Sequence, residues 1–312
     1  KKRIMNCKSI ILLIVVLLFW GNAEARKKKG KKVEEVQTES AYRKFFKGKA
    51  CETAKGMITL HKMDGRVYFE IPLALMGREM LMGSTISEIT NNGFGSVGEK
   101  PKGLLYISFV RCDSVISLKQ LTAQYDTNEE NLKQRIKEST IPATIKNFKI
   151  TTYNEDSTAV VIDMTDYLVS ADEAIDPFSP WAPILAGGER VMEKEFRREN
   201  SQVVSIKAFE DNVSVKSSLT YGLSLKNKVM YIFQREPFTA VMTRSFILLP
   251  EHPMRPRLAD PRIAIFSQGV SVFNGDSRGA QARYYAQRWN LEPKDMEQYR
   301  KGVLTEPKKP IV

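Results

Sequence analysis

The sequence predicts a β-rich α+β fold built mainly of antiparallel sheets with a few short helices. Three observations carry this. Apolar and polar residues alternate with the two-residue period of a half-buried strand in many segments, and these segments are joined by short turns rich in Gly, Asn and Asp. Only one stretch carries clear helix-start chemistry, and strands follow one another without the βαβ alternation of a parallel sheet.

Taken in order, Lys55 to Pro72 reads as a hairpin: Met57, Thr59 and His61 alternate with Ile58, Leu60 and Lys62, and the alternation resumes at Val67, Phe69 and Ile71. Between them Asp64-Gly65 supplies the left-handed backbone of a tight turn. Glu79 to Thr90, Gly103 to Arg111 and Val115 to Tyr125 continue as strands, the first two separated by the glycine-rich loop Asn91 to Gly98. Thr127 stands as N-cap with Glu130 in the capping-box position, and Leu132 and Ile136 share one face of a short helix. Phe148 to Tyr153 and Thr158 to Met164 form an antiparallel pair around Asn154 to Ser157. Glu189 to Asn200 reads as a charged helix or loop. Strands return at Val203 to Phe209, Val213 to Tyr221, Val229 to Gln234 and Thr239 to Leu249. Pro250, Pro253, Pro256 and Pro261 then remove backbone donors and restrict their predecessors, which leaves an extended strap.

Charge is unevenly placed. Lys1, Lys2, Arg3 and Lys8 against Glu24 give a net of +3, the basic residues of Arg26 to Lys32 add six, and the body keeps only +3 of the total +12. A near-neutral body with a short basic tail is not a nucleic-acid surface. The basic head, the apolar run Ile10 to Trp20 and Ala23-Glu24-Ala25 make residues 1–25 a secretory signal peptide cleaved after Ala25, with a basic linker over 26–40. The run falls short of the roughly 20 residues a membrane-spanning helix needs, so no transmembrane span is expected after cleavage. The expected location is exported: periplasmic, outer-surface or extracellular. Cys51 and Cys112 are the cysteines that survive processing; they form a disulfide if the fold brings their Cα atoms within about 7 Å and otherwise stay as free thiols.

Motifs that spell catalysis fail on chemistry. Gly93-x-Gly95-x-x-Gly98 has the letters of a dinucleotide fingerprint, but Lys100-Pro101-Lys102-Gly103 follows where a phosphate-binding helix must open. Gly275-x-Ser277-x-Gly279 spells a nucleophile elbow, yet the only histidines, His61 and His252, both precede it, so a flexible loop is expected there. No two histidines stand four apart on one helix to hold zinc with an intervening glutamate as base. Catalytic, cofactor-binding and metal-ligating residues are therefore all expected to be absent. Val160 to Asp166 reads as a buried strand whose aspartates cap the next segment.

Several segments carry a resemblance. GRVYFEIP (Gly65 to Pro72) with Leu75-Met76-Gly77-Arg78-Glu79-Met80, TAVVIDMTDYL (Thr158 to Leu168), KAFEDNVSVKSSLTYG (Lys207 to Gly222), LLPEHPMRPRLADPRIAIF (Leu248 to Phe266), RYYAQRWNLEPKD (Arg283 to Asp295) and GVLTEPKKPIV (Gly302 to Val312) together resemble the N-terminal modules of secreted bacterial zinc-dependent metalloproteases of the zincin, Met-turn type. The resemblance implies a small N-terminal module over 41–90, a larger β-rich module over 99–290 and a connector over 291–312. The zinc-bearing catalytic domain would follow Val312, so the partner expected is that domain of the same polypeptide, and this chain alone is expected to be inactive and zinc-free. Ser271 to Ala282 departs from the resemblance as an insertion. In the strap, Arg255, Arg257, Asp260 and Arg262 are candidate interdomain contacts, their planar donors suited to carboxylates of an adjoining domain or of the strap's own sheet. The role implied is a pro-segment or scaffold; the alternative is a self-contained periplasmic or cell-surface binding module.

Overall fold

A computed structural model describes residues 39–179, 190–227, 233–276 and 279–308. The segment read as a signal peptide and nearly all of the basic linker therefore lie outside the described residues, as do Ser277 and 309–312 of the connector.

The chain enters through helix α1 (Ala41–Phe46), capped by the Ser40 hydroxyl, and then builds strands almost without interruption. These are β1 (Glu52–Ala54), β2 (Thr59–Met63), β3 (Arg66–Pro72), β4 (Glu79–Ile89), β5 (Leu105–Cys112), β6 (Val115–Gln120) and the two-residue β7 (Tyr125–Asp126). Helix α2 (Glu130–Ser139) leads into β8 (Ala143–Tyr153) and β9 (Ala159–Asp163), after which a single turn, α3 (Thr165–Leu168), crosses over the sheet. The remainder is β10 (Arg190–Phe196), β11 (Gln202–Ala208), β12 (Asn212–Asn227), β13 (Phe233–Leu248), β14 (Ser267–Phe273), β15 (Ala280–Ala286) and α4 (Met296–Arg300).

Twelve strands form one antiparallel sheet in the order β1-β2-β3-β9-β8-β6-β5-β4-β13-β12-β10, with β11 also paired to β12. The sheet unites the segments expected as two modules, since β4 pairs with β13 from Met80↔Leu248 to Ile89↔Ala240. It rolls until its first edge meets β11, where Met57 N donates to Phe209 O at 2.8 Å and Lys62 Nζ to Val204 O at 2.6 Å. Gly56 permits this approach: a Cβ there would lie 2.4 Å from the Phe209 carbonyl oxygen.

The concave face is the core. Alternate residues of every long strand point into it, so Phe69, Phe109 and Phe246 meet edge-on or tilted at 5.4 and 6.2 Å between ring centroids. At the other end Phe94, Phe178, Tyr221 and Phe238 form a second aromatic group. A smaller sheet, β15-β14-β7, stands apart from this core; β14 and β15 are antiparallel and β14 runs parallel to β7.

Most expected elements are present, and three departures have physical causes. The hairpin turn sits at Asp64 and Gly65, with φ of 51° and 72°. Helix α2 begins later than the capping box implies: Glu129 is its N-cap, and Thr127 instead accepts from Glu129 N and donates to Phe273 O at 2.7 Å, tying the helix to the small sheet. The charged segment expected as helix or loop is strand β10, paired in register with β12. Its alternation is obscured because Lys194 shares the side of Met192 and Phe196, drawn by the buried Asp176. Thr239 to Leu249 is not a separate strand: β13 starts at Phe233 and runs through Pro237, which faces Gly222; Val229 to Ile232 lie outside the described residues. Within Ser271 to Ala282, the ends of β14 and β15 pair, with Ser271 opposite Ala282 and Val272 buried. Cys51 and Cys112 are both free.

Candidate interdomain face

The strap from Pro250 to Phe266 has no helix or strand, as its prolines require, and lies along β15. Ala259 N donates to Tyr284 O, Ala286 N to Arg257 O and Gln287 N to Phe266 O, each at 2.8 Å. At its start Arg78 holds Glu251 at 2.6 Å and reaches the Leu249 carbonyl. Of the four candidate contacts, Arg262 and Asp260 bind each other in a fork, Nε at 2.9 Å and Nη2 at 2.5 Å, which holds the Asp260 carboxyl below its ordinary range. Arg255 and Arg257 contribute main-chain carbonyls, the former accepting from Arg288 Nη2 at 2.5 Å. Their own guanidinium groups are exposed and make no ion pair among the described residues. The structure thus brings Asp260 and Arg262 together and leaves Arg255 and Arg257 facing outward.

The feature that sequence reasoning missed lies beside them. Of the eighteen exposed large apolar side chains among the described residues, eleven fall within 258–304. Phe266 is 87% exposed, Leu304 98%, Leu258 67% and Trp289 65%. The signal was present in the sequence as Ile263, Ile265 and Phe266 directly after the prolines, but alternation alone does not say which face will find a cover. The tail is not an extended connector over its described part. Asp295 caps α4 by accepting from Glu297 N and Gln298 N, Gly302 turns at φ 78°, and Lys308 N returns to Glu292 O at 2.7 Å.

The remaining polar residues singled out in the sequence sit elsewhere. His252 is exposed in the strap. His61 is buried on the convex side beneath α1, with Nε2 2.9 Å from Glu70 Oε2 and Nδ1 3.0 Å from Thr53 Oγ1. Tyr42 donates to the same Glu70 oxygen at 2.7 Å, and the Phe46 ring lies 4.7 Å from the imidazole. Hydrogen bonding to His61 holds the Glu70 carboxyl below its ordinary range, while burial and Glu70 push the Tyr42 phenol up. Cys51 Sγ is 3.8 Å from Nδ1, farther than the Thr53 hydroxyl that already occupies it. This cluster fastens α1 to the sheet. Among the described residues no three His, Cys, Asp or Glu side chains are placed together to hold a metal, and both His61 nitrogens are hydrogen-bonded. Asp163 ends buried β9 and accepts from Thr165 N at 2.9 Å, but the N-cap of α3 is Met164, which makes no side-chain cap, so the capping expected of the aspartates is not seen there. Gly95 leads from one 3-10 turn into a loop, without a helix to bind phosphate. Among the described residues no helix is long and apolar enough to cross a membrane.

The fold and this face define a class: a rolled antiparallel sheet and a strap-bound small sheet, with exposed apolar side chains concentrated in the strap and the tail. The chain belongs to the family described as Domain of unknown function (DUF5117), matched over residues 99–294, and residues 39–89 match a second, Domain of unknown function (DUF5118). No curated protein and no solved structure matches it.

Proposed function

We propose that this chain is the noncatalytic N-terminal region of an exported zinc-dependent metalloprotease, a scaffold or pro-segment for a catalytic domain that follows it in the same polypeptide. The observation that carries the reading is the uncovered apolar side chains of 258–304, anchored on a rigid, proline-rich strap. A patch of this kind on an otherwise well-buried fold marks a protein contact. Arg255 and Arg257 flank it with outward donors suited to carboxylates, and the segments that resemble the metalloprotease modules include the strap itself. In this reading the protein supplies position, not chemistry: zinc and its base belong to the following domain, and no step of peptide hydrolysis passes through residues described here.

The test is association. The gene read past Val312 is expected to enter a His-Glu-x-x-His helix, and that domain, expressed separately, is expected to bind residues 26–312. Phe266→Asp with Leu304→Asp should weaken binding by at least about tenfold, the scale of losing buried apolar anchors, while the thermal midpoint of the isolated region stays unchanged. A following domain without that motif, or one that ignores residues 26–312, overturns the proposal.

A further inference from the structure

Two charged side chains are wholly buried among the described residues, Asp176 and Arg244. Arg244, on β13 between Met242 and Phe246, is wholly buried, with Val215 of β12 and Ser84 of β4 across from it. Its Nη2 donates to the Ile175 carbonyl at 3.0 Å, from the segment that crosses over the sheet after α3. Its Nε and Nη1 have no partner among the described residues. Three other buried polar atoms lack one as well: the hydroxyls of Tyr167, Tyr221 and Ser217. Ser217 and Tyr221 lie on β12 two and six residues beyond Val215, so the two-residue period puts them on the same inward face, and Tyr167 descends from α3. Both tyrosines interact electrostatically with Arg244.

Buried polar atoms in native proteins are almost always paired, so five unpaired ones in one neighbourhood call for an occupant. The sign of the charge narrows it. Asp176 is the only wholly buried carboxylate among the described residues, and it is fully engaged: Lys194 Nζ at 2.7 Å, Lys102 Nζ at 3.0 Å and Phe178 N at 3.1 Å. Asp172, half-buried, accepts from Ala174 N. No carboxylate among the described residues contacts the Arg244 guanidinium, and although burial pushes its pKa down to about 10, it keeps its proton at neutral pH. A guanidinium only donates, and each hydroxyl is able to donate beside it.

We propose that Arg244, Tyr167, Tyr221 and Ser217 form an interior binding site for a small monoanion of chloride or carboxylate size. The anion supplies both the acceptor and the countercharge. Water alone supplies the acceptor but no charge: the attraction that reaches Arg244 from Asp172 and Asp176 acts without contact, and a buried cation with no contacting countercharge is strongly disfavoured in a low-dielectric core. The size limit follows from the packing, because Phe178, Tyr221 and Phe238 close the same face, with the Phe178 centroid 5.0 Å from Tyr221 and 5.2 Å from Phe238.

The test is to unfold and refold the purified chain in sodium gluconate, an anion too bulky for the interior, and to measure its thermal midpoint as chloride, bromide or formate replaces gluconate at constant ionic strength. The midpoint is expected to climb by about 3–5 °C per tenfold rise in the bound anion above its dissociation constant. Halide and formate arms separate an inorganic ion from a carboxylate. Tyr167→Phe with Tyr221→Phe, which preserves the packing, should flatten the response, and Arg244→Met should abolish it if that variant folds. Crystals of protein refolded in bromide should show anomalous density within hydrogen-bond distance of Arg244 Nε or Nη1. A midpoint identical in all four anions, with only water at the guanidinium, overturns the proposal.

Discussion

Two faces of this protein carry the same kinds of residue to opposite ends. Inside the rolled sheet, Phe69, Phe109 and Phe246 are wholly buried and packed ring against ring. On the strap, the small sheet and the segment after it, Phe266, Tyr284 and Trp289 are more than half exposed. The strands of the first region curl into a closed layer that supplies its own cover. Those of the second, β14 and β15, pair with each other, with two residues of β7 and with the strap, and no further layer of the described residues lies over them. A hydrophobic side chain is therefore evidence for folding in the one place and for association in the other. Conversely, the donors of Arg244 that find no partner on the inner face are what the anion proposal rests on, because buried polar atoms are almost always paired.

The sharpest way to break the comparison is a matched truncation. Phe246→Ala should cost about 3–5 kcal/mol, as for a large side chain removed from a packed core, whereas Phe266→Ala should stay within about 0.5 kcal/mol. Urea unfolding of both variants checks this, and similar losses would mean that the strap region is covered in the isolated chain. Next in size is Gly56→Ala, which places a methyl against the Phe209 carbonyl and should cost about 1–3 kcal/mol. Its readout is faster amide exchange at Met57, since that hydrogen bond closes the roll; unchanged exchange would mean that the two edges are held by other contacts.

A third effect is set by pH and concerns the convex side. The Glu70 carboxyl is held below its ordinary range by His61 and Tyr42, so the folded state favours its ionised form. Its contribution is complete above the unfolded carboxylate value of about 4.3 and is lost as pH falls through the lower folded value. Glu70→Gln should therefore cost about 1 kcal/mol at pH 7 and progressively less below about pH 4. Equal loss at neutral pH and about pH 3 would show that the carboxylate charge is not what fastens α1. The smallest effect expected is at the strap: Arg262 and Asp260 pair in the open, so Arg262→Ala should leave the thermal midpoint unchanged within error, whereas a measurable drop would mean that this pair fixes the strap.

Much of the sheet was legible because each strand states its own period. Val67, Phe69 and Ile71 alternate with outward residues and Asp64-Gly65 gives the turn, so the first hairpin needed no further information. Strand β10 was not legible, because Lys194 stands where the alternation calls for an apolar residue and only Asp176, brought by another segment, makes that position tolerable. Thr127 read as a helix cap by its neighbours in sequence, but its hydroxyl goes to Phe273, which lies on the small sheet. Arg255, Arg257, Asp260 and Arg262 were legible as charged residues of a rigid strap and candidate interdomain contacts, while the mutual fork of Asp260 and Arg262 was not, since two residues of extended chain place the groups either way. Nothing in the local pattern singles out Arg244, because its burial depends on what covers the strand.

The sequence by itself determined the β-rich class, most strand positions, the proline strap and the lack of a paired-histidine metal motif, since these rest on local period, turn chemistry and residue spacing. Only the tertiary structure decided that the two segments share one rolled sheet, that eleven large apolar side chains of 258–304 are exposed, and that a guanidinium stands in the core with two of its nitrogens unpartnered. Those depend on which distant strands become neighbours, and burial of a side chain is a property of what covers it, which no local pattern encodes.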